Sequence, residues 1–322
     1  MTSTDKIKLP VSGELKKFDV FFKDSLKSKV ALLDIITNYV LKSKGKQMRP
    51  LLVFLCAKMI GKITPATYTA AALIELLHTA TLIHDDVVDN SDMRRGFFSI
   101  KAIWKTKIAV LIGDYLLSKG LLLAIDNNEF EMLRLVSDAV KKMAEGELLQ
   151  IEKSRKLDIN EEVYFEIIYK KTATLLESCT AGGALSAGAD KETVELMKDF
   201  GKYAGLVFQI KDDLFDYQKT NLTGKPIGND IQEKKMTLPL IYALSKCEKK
   251  EKGKILAIIS KGKKKEFPLV LDFVREKGGL EYSTLKMNEY KEKAVEILNK
   301  FPESEAKNSL MILVDYIAER NK

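Results

Sequence analysis

From Tyr68 to Asp89 the chain reads YTAAALIELLHTATLIHDDVVD, 22 residues without a glycine or a proline. A stretch so rich in Ala and Leu spans more than five turns of α-helix and offers no place for a strand-reversing turn. The helical period recurs in AIWKTKIAVLIGDYLLSKGLLLAI, in EFEMLRLVSDAVKKMAEGELLQIEK and in INEEVYFEIIYKKTATLLESCTAGGALSAGA. It returns in KETVELMKDFGKYAGLVFQIKDDLFDY and in two C-terminal segments. Several of these helices are apolar all round, which suits the centre of a large bundle. No run alternates with the period of a strand. With 18 Gly and 7 Pro in 322 residues, the chain has too few breakers for an all-β fold. The expectation is an all-α chain forming one domain, 1–322, with 1–12 as a flexible N-terminal segment. No Ser- or Pro-rich linker divides it.

The function classes narrow quickly. The net charge of +8 fits solubility, an anionic ligand or transient contact with an anionic membrane surface. No nucleic-acid motif accompanies it, so nucleic acid is not an expected partner. Cys56, Cys179 and Cys247 are odd in number and far apart, which suits neither a disulfide framework nor a zinc site. A reducing cytoplasm is the expected setting. The most apolar run is broken by Asp114 and Lys119 and reads as a buried core helix rather than a membrane span.

The acids are less easily placed. Asp85, Asp86 and Asp89 form a DDxxD pattern directly after Leu82 and Ile83. On a helix, Asp85 and Asp89 lie one turn apart on one face, where like charges repel. One such cluster also fits a solvated acidic face. The pattern, however, recurs as Asp212, Asp213 and Asp216, 127 residues later and again at the end of an apolar helical segment. Carboxylates without His or Cys suit a hard cation, and Mg²⁺ characteristically bridges carboxylates to phosphates. Two clusters facing each other would hold a diphosphate through metal ions. Arg94, Arg95, Lys171, Lys211, Lys225 and Lys235 lie near them in the sequence and would add positive charge.

These residues resemble the trans-type polyprenyl diphosphate synthases, and its octaprenyl and heptaprenyl branch in particular, over almost the whole chain. GKQMRP (Gly45–Pro50) is similar to the family's GKxxRP. HTATLIHDDVVDNSDMRRG is similar to its first aspartate-rich motif and FQIKDDLFD to its second. GELLQ and KTATL are similar to two further segments, and GKPIGNDIQEKKMTLPLIYAL to GKxxGxDxxEGKxTLP. There are departures. Lys234 stands where the family has Gly, which bears on the local backbone. Phe98 stands where Pro is frequent, and KSKGK replaces a segment with two glycines.

The resemblance implies an isoprenoid-synthase-type helical bundle around a deep central cavity. It implies two or three Mg²⁺ ions held by Asp85, Asp86, Asp89, Asp212, Asp213 and, less directly, Asp216. Arg94, Lys171, Thr172, Gln209, Lys225 and Lys235 would bind the allylic diphosphate. Lys46, Arg49, His78 and Arg95 would bind isopentenyl diphosphate. The reaction is head-to-tail condensation, with Asp85, Asp86, Asp89, Asp212, Asp213, Lys171 and Lys225 as the catalytic set, in a homodimer. Product length would depend on the residues below the first aspartates. Ala80 and Thr81, one turn earlier and about 5.4 Å away, are small and leave a tunnel open. Leu76 and Leu77, then Leu121, Leu122 and Ile125, are the next obstacles. A product of about six to eight isoprene units follows by analogy with the long-chain branch; the alternatives are a geranylgeranyl-length product and a non-catalytic partner subunit of a heteromeric synthase.

Overall fold

The computed structural model describes residues 3–43, 45, 47–94, 96–217, 229–262 and 264–320. Its helices are α1 (Ser3–Lys8), α2 (Ser12–Ser25), α3 (Ala31–Lys42), α4 (Met48–Ile60) and α5 (Pro65–Val88). A hairpin, β1 (Met93–Arg94) and β2 (Phe97–Phe98), precedes α6 (Ile100–Asp126), α7 (Phe130–Lys156) and α8 (Glu161–Ile168). A π turn, Tyr169–Ala173, leads into α9 (Thr174–Ser186) and α10 (Lys191–Phe215). Then follow α11 (Asn229–Gln232), α12 (Leu238–Ser245), α13 (Lys249–Lys261), α14 (Phe267–Glu276), α15 (Gly279–Leu298) and α16 (Glu305–Glu319). The fold is all-α, as expected. The short hairpin was not foreseen. Gly96, at φ +80°, makes its turn and pairs Arg94 with Phe97.

The chain forms two compact units. The first comprises Met1–Asp138, Ser178–Lys198 and Phe301–Leu310, and the second Ala139–Glu177, Asp199–Lys300 and Met311–Lys322.

In the first unit, Pro65 opens α5 at a position whose N–H no helix needs. The Thr64 amide donates to the Thr67 hydroxyl at 3.0 Å, and the Thr64 hydroxyl donates to the Ser186 carbonyl at 2.9 Å. Every residue from Ala70 to His78 is buried. Helix α6 packs with one stripe, Ala109, Ile112, Gly113, Leu116, Gly120 and Ala124, all buried at helical spacing. Ile100 at its start is buried as well, while Ile103, Val110, Leu111, Leu122 and Ile125 are exposed. Both α5 and α6 are long and apolar enough to cross a membrane by length and composition, but 72% of the apolar window of α5 is buried and only 33% of that of α6. The expectation that α6 is a buried core helix is therefore corrected. Leu111 is 53% exposed, Leu122 52% and Ile125 44%. Hydropathy counts apolar residues but does not say which face meets a neighbour. The N-terminus is corrected too. It is helical from Ser3, and Ile7 and Val11 are fully buried, which fixes residues 3–11 by the same apolar burial that fixes the core.

The second unit contains the π turn. Gly205 of α10 and Gly146 of α7 lie on it. A Cβ at Gly205 would stand 2.5 Å from the Ala173 Cα, and one at Gly146 would stand 2.8 Å from the Lys170 Cβ. Neither position has room for a side chain. The turn's extra residue breaks the helical repeat of α8 and α9 at Lys171 and Thr172, a frequent device at functional sites.

The short helix α11 ends in a Schellman motif. The Lys235 amide donates to the Asp230 carbonyl at 2.8 Å and the Lys234 amide to the Ile231 carbonyl at 3.1 Å, with Lys234 left-handed at φ +57°. The family's Gly suits that conformation and Lys does not. Lys234→Gly is expected to raise stability by about 0.5–1 kcal/mol, read as a higher midpoint in urea unfolding.

Candidate active site

In the first unit, α5 delivers its aspartates at its C-terminal end. Asp85 and Asp89 face solvent, but Asp86 is buried. The hairpin brings Arg94 back onto it, and the Arg94 Nε donates to Asp86 Oδ1 at 2.7 Å. Tyr39 of α3 fastens the hairpin by donating to the Phe98 carbonyl at 2.8 Å and packing edge-on to Phe97. A cleft here is lined by Tyr39, Gln47, His78, Asp86, Arg94 and Phe97. His78 sits two turns before Asp86 on the same face of α5. The first cluster is thus no simple solvated face, because one of its three carboxylates is buried and ion-paired. Arg49, on α4, and Glu75, on α5, both lie near Cys179. Burial pushes the Cys179 thiol up to about 12 despite the opposing Arg49 charge. That thiol is inert at neutral pH.

In the second unit, α10 carries Asp212 and Asp213, and Asp216 follows its end. Asp213 is buried, and both its oxygens are engaged. Tyr164 of α8 donates its hydroxyl to Oδ2 at 2.7 Å, and Gln209 donates its amide to Oδ1 at 2.8 Å. The Thr172 hydroxyl, placed by the π turn, donates in turn to Gln209 Oε1 at 2.7 Å. Asp212 pairs with Arg320 near the C-terminus, at 2.6 Å, and the guanidinium lies 4.1 Å over the Phe208 ring. Asp216 accepts the Asp230 backbone N–H at 3.1 Å. Lys171 is held by Glu147 and by Gln150 at 3.3 Å, both from GELLQ. Lys235 pairs with Glu233. Burial acts to lower the Lys235 ammonium, but Glu233, with Asp230 and Glu147, outweighs it and leaves it raised. A second cleft contains Lys171, Thr172, Gln209, Asp213, Asp230 and Lys235.

Burial pushes the Asp213 carboxyl up to about 8, and the neighbouring Asp230 charge adds to this against the Tyr164 and Gln209 hydrogen bonds. A buried acid cluster that retains a proton near neutrality is short of positive charge. Among the described residues, no three His, Cys, Asp or Glu side chains already form a metal site. The donors are nonetheless all oxygen, and a divalent cation in place of the proton would settle the charge, so the residues fit Mg²⁺.

The structure brings together much of the expected set, namely Asp86, Arg94 and His78 in one cleft and Lys171, Thr172, Gln209, Asp213 and Lys235 in the other. Lys46, Arg95 and Lys225 lie outside the described residues. Ala80, Leu76 and Leu77 are buried in α5, and the Thr81 hydroxyl turns back to the His78 carbonyl at 2.8 Å. Leu122 and Ile125 do not join them, because both lie on the outer face of α6. Sequence reasoning missed Asp230, Tyr164, Arg320 and the Lys171 holders Glu147 and Gln150. Only Asp230, Glu147 and Gln150 carried a signal, since they fall within the segments GKPIGND and GELLQ.

Comparison with known proteins decides the family. The polyprenyl synthetase family model matches residues 30–270. The chain belongs to the polyprenyl synthetase family. It is 36% identical over 313 residues to an all-trans-nonaprenyl-diphosphate synthase (geranyl-diphosphate specific) of Rhodobacter capsulatus, covering 97% of this chain and 96% of that protein. A decaprenyl diphosphate synthase of Rhodobacter capsulatus superposes with a TM-score of 0.93 at 31% identity, covering 99% of both chains. A geranylgeranyl pyrophosphate synthase of Bacteroides thetaiotaomicron superposes with a TM-score of 0.85 at 39% identity, covering 99% of this chain and all of that one. This polyprenyl synthetase is a trans-prenyltransferase of isoprenoid biosynthesis, a trans-polyprenyl diphosphate synthase. The named relatives range from geranylgeranyl to decaprenyl, so family membership leaves product length open.

Proposed function

We propose that the chain condenses isopentenyl diphosphate onto farnesyl or geranylgeranyl diphosphate and gives an all-trans product of about six to eight isoprene units, by analogy with the long-chain branch. The observation that carries this is the buried, small Ala80 below the first aspartates. A chain of that length suits a quinone side chain. The whole chain acts as one synthase domain, a reading supported by a single family model that runs through both units. Asp85, Asp86, Asp89, Asp212, Asp213 and Asp216 are the Mg²⁺ ligands, and Asp230 joins them as an acid of the second cleft.

The protein's own work is to bind and to neutralise. Arg94, Lys171, Lys225 and Lys235 draw charge from the allylic diphosphate, and Thr172 and Gln209 support Asp213 beside it. Mg²⁺, when bound, supplies the Lewis-acid neutralisation of that diphosphate. Its carbon–oxygen bond then breaks to give an allylic cation and diphosphate. Lys46, Arg49, His78 and Arg95 hold isopentenyl diphosphate so that its double bond attacks the cation and forms the new carbon–carbon bond. The proton lost next goes to the released diphosphate. Positioning and a water-poor, pre-charged site supply the rate, and no side chain acts as a nucleophile.

The half-exposed apolar face of α6, with Leu111, Leu122 and Ile125, supports a homodimer. The cytoplasm is the proposed location, with transient membrane contact to release a lipid-like product.

The test uses the purified chain with Mg²⁺, farnesyl diphosphate and excess labelled isopentenyl diphosphate, with products dephosphorylated and sized. A ladder ending at about thirty to forty carbons is expected by analogy with the long-chain branch. A stop at about twenty carbons would make the geranylgeranyl alternative correct, by the same analogy. No incorporation by the folded protein would point to a required partner subunit.

A further inference from the structure

Asp86, Asp212 and Asp213 have side-chain partners of different kinds. Asp86 and Asp212 each meet an arginine, at 2.7 Å and 2.6 Å. Asp213 instead receives hydrogen bonds from two neutral groups, the Tyr164 hydroxyl on one oxygen and the Gln209 amide on the other. An arginine supplies charge as well as direction. A phenol supplies direction alone and leaves the negative charge to be met by something else. Tyr164 is well fixed for this. It lies in the first turn of α8, whose N-terminus is capped by the Asn160 side chain accepting the Val163 amide at 2.9 Å. Its ring is buried and packs edge-on to Phe165, which packs in turn on Tyr290. The hydroxyl reaches Asp213 across 49 residues of sequence.

We propose that Tyr164 is a positioning residue that fixes one oxygen of Asp213, so that the carboxylate presents a single orientation to Mg²⁺. This rests on the reading of Asp213 as a Mg²⁺ ligand. The Thr172–Gln209 relay fixes the other oxygen, so the carboxylate is held at both atoms before a cation arrives. Groups that orient metal ligands in this way typically account for about 10–100-fold in metal affinity. The competing reading is that Asp213 merely satisfies a buried hydroxyl, and then metal affinity would not depend on Tyr164.

The experiment compares wild type, Tyr164→Phe and Asp213→Asn as full-length proteins. Mg²⁺ is titrated in the presence of inorganic diphosphate, and the rise in unfolding midpoint is followed. The Mg²⁺ concentration for half-maximal turnover is measured in parallel. Turnover is assayed at a fixed interval below each variant's own metal-free midpoint, so lost stability alone does not move the result. Tyr164→Phe keeps the ring and its packing. It should need about tenfold more Mg²⁺ in both readouts. Asp213→Asn should lose most of the response. If Tyr164→Phe titrates like wild type while Asp213→Asn does not respond, the positioning role is overturned and the metal reading stands. If Asp213→Asn itself titrates like wild type, the metal reading fails and the proposal fails with it.

Discussion

Asp213→Asn is expected to lower kcat by about 10²–10³-fold while leaving the metal-free protein folded and no less stable at pH 7. The two halves of this expectation have one cause. The Asp213 carboxyl is held up to about 8 by burial first and by Asp230 next. In the folded, metal-free chain it is therefore mostly protonated at neutral pH, and an amide of the same shape replaces it closely. In the unfolded chain it ionises near its ordinary value. The folded state thus binds more protons than the unfolded state between those two values, and stability falls as pH rises through that window. Wild type should lose metal-free stability from about pH 4 to about pH 8 relative to Asp213→Asn, whose curve lacks this contribution. Excess Mg²⁺ with inorganic diphosphate should restore the wild type at high pH and shift the variant far less. Thermal melts of both proteins across that range, with and without Mg²⁺, check the direction. A wild-type curve no steeper than the variant's would mean that Asp213 is not the strained acid of this site.

The long helices, the two aspartate-rich segments and the family were legible because each is local. Ala-, Leu- and Asp-rich repeats at helical spacing declare themselves within a few turns of chain. What was not legible depends on distant residues. Tyr164 reaches a carboxylate 49 positions away, and Arg320 one 108 positions away. Neither lies in a segment whose pattern announces a role. The π turn inserts one residue into an otherwise good helical period, and only the close approach of Gly146 and Gly205 betrays it. Helix α6 is kinked at a single residue, Lys105, which stands at φ +72° and carries no sequence signal for it. Lys234 was the reverse case. The departure from Gly was visible in the sequence, and the structure shows a left-handed conformation borne by Lys. The outer face of α6 was misread because its apolar residues were counted without knowing that one stripe alone meets α5.

Ala80→Phe should shorten the product to about twenty carbons or fewer while isopentenyl incorporation continues, if product length follows pocket depth as in the family's short-chain members. Ala80 is buried on α5, one turn from Asp85, with Leu77 and Leu76 the next buried side chains toward the N-terminus. A tail growing from a diphosphate held near Asp85 and running back along α5 meets Ala80 first, and a methyl group lets it pass. A phenyl ring would not. Overpacking of this kind costs about 1–3 kcal/mol, so the variant's melting point is measured beside its products. The opposite change separates blockage from damage. Leu77→Ala should cost about 2–5 kcal/mol of stability and yet lengthen the product. A merely damaged protein would change rate in both variants and length in neither. Opposite shifts in length, with aspartates untouched, would show that the tail runs along α5 past both positions. An unchanged ladder from folded Ala80→Phe would mean that the tail does not run along α5, and the long-chain assignment would lose its support.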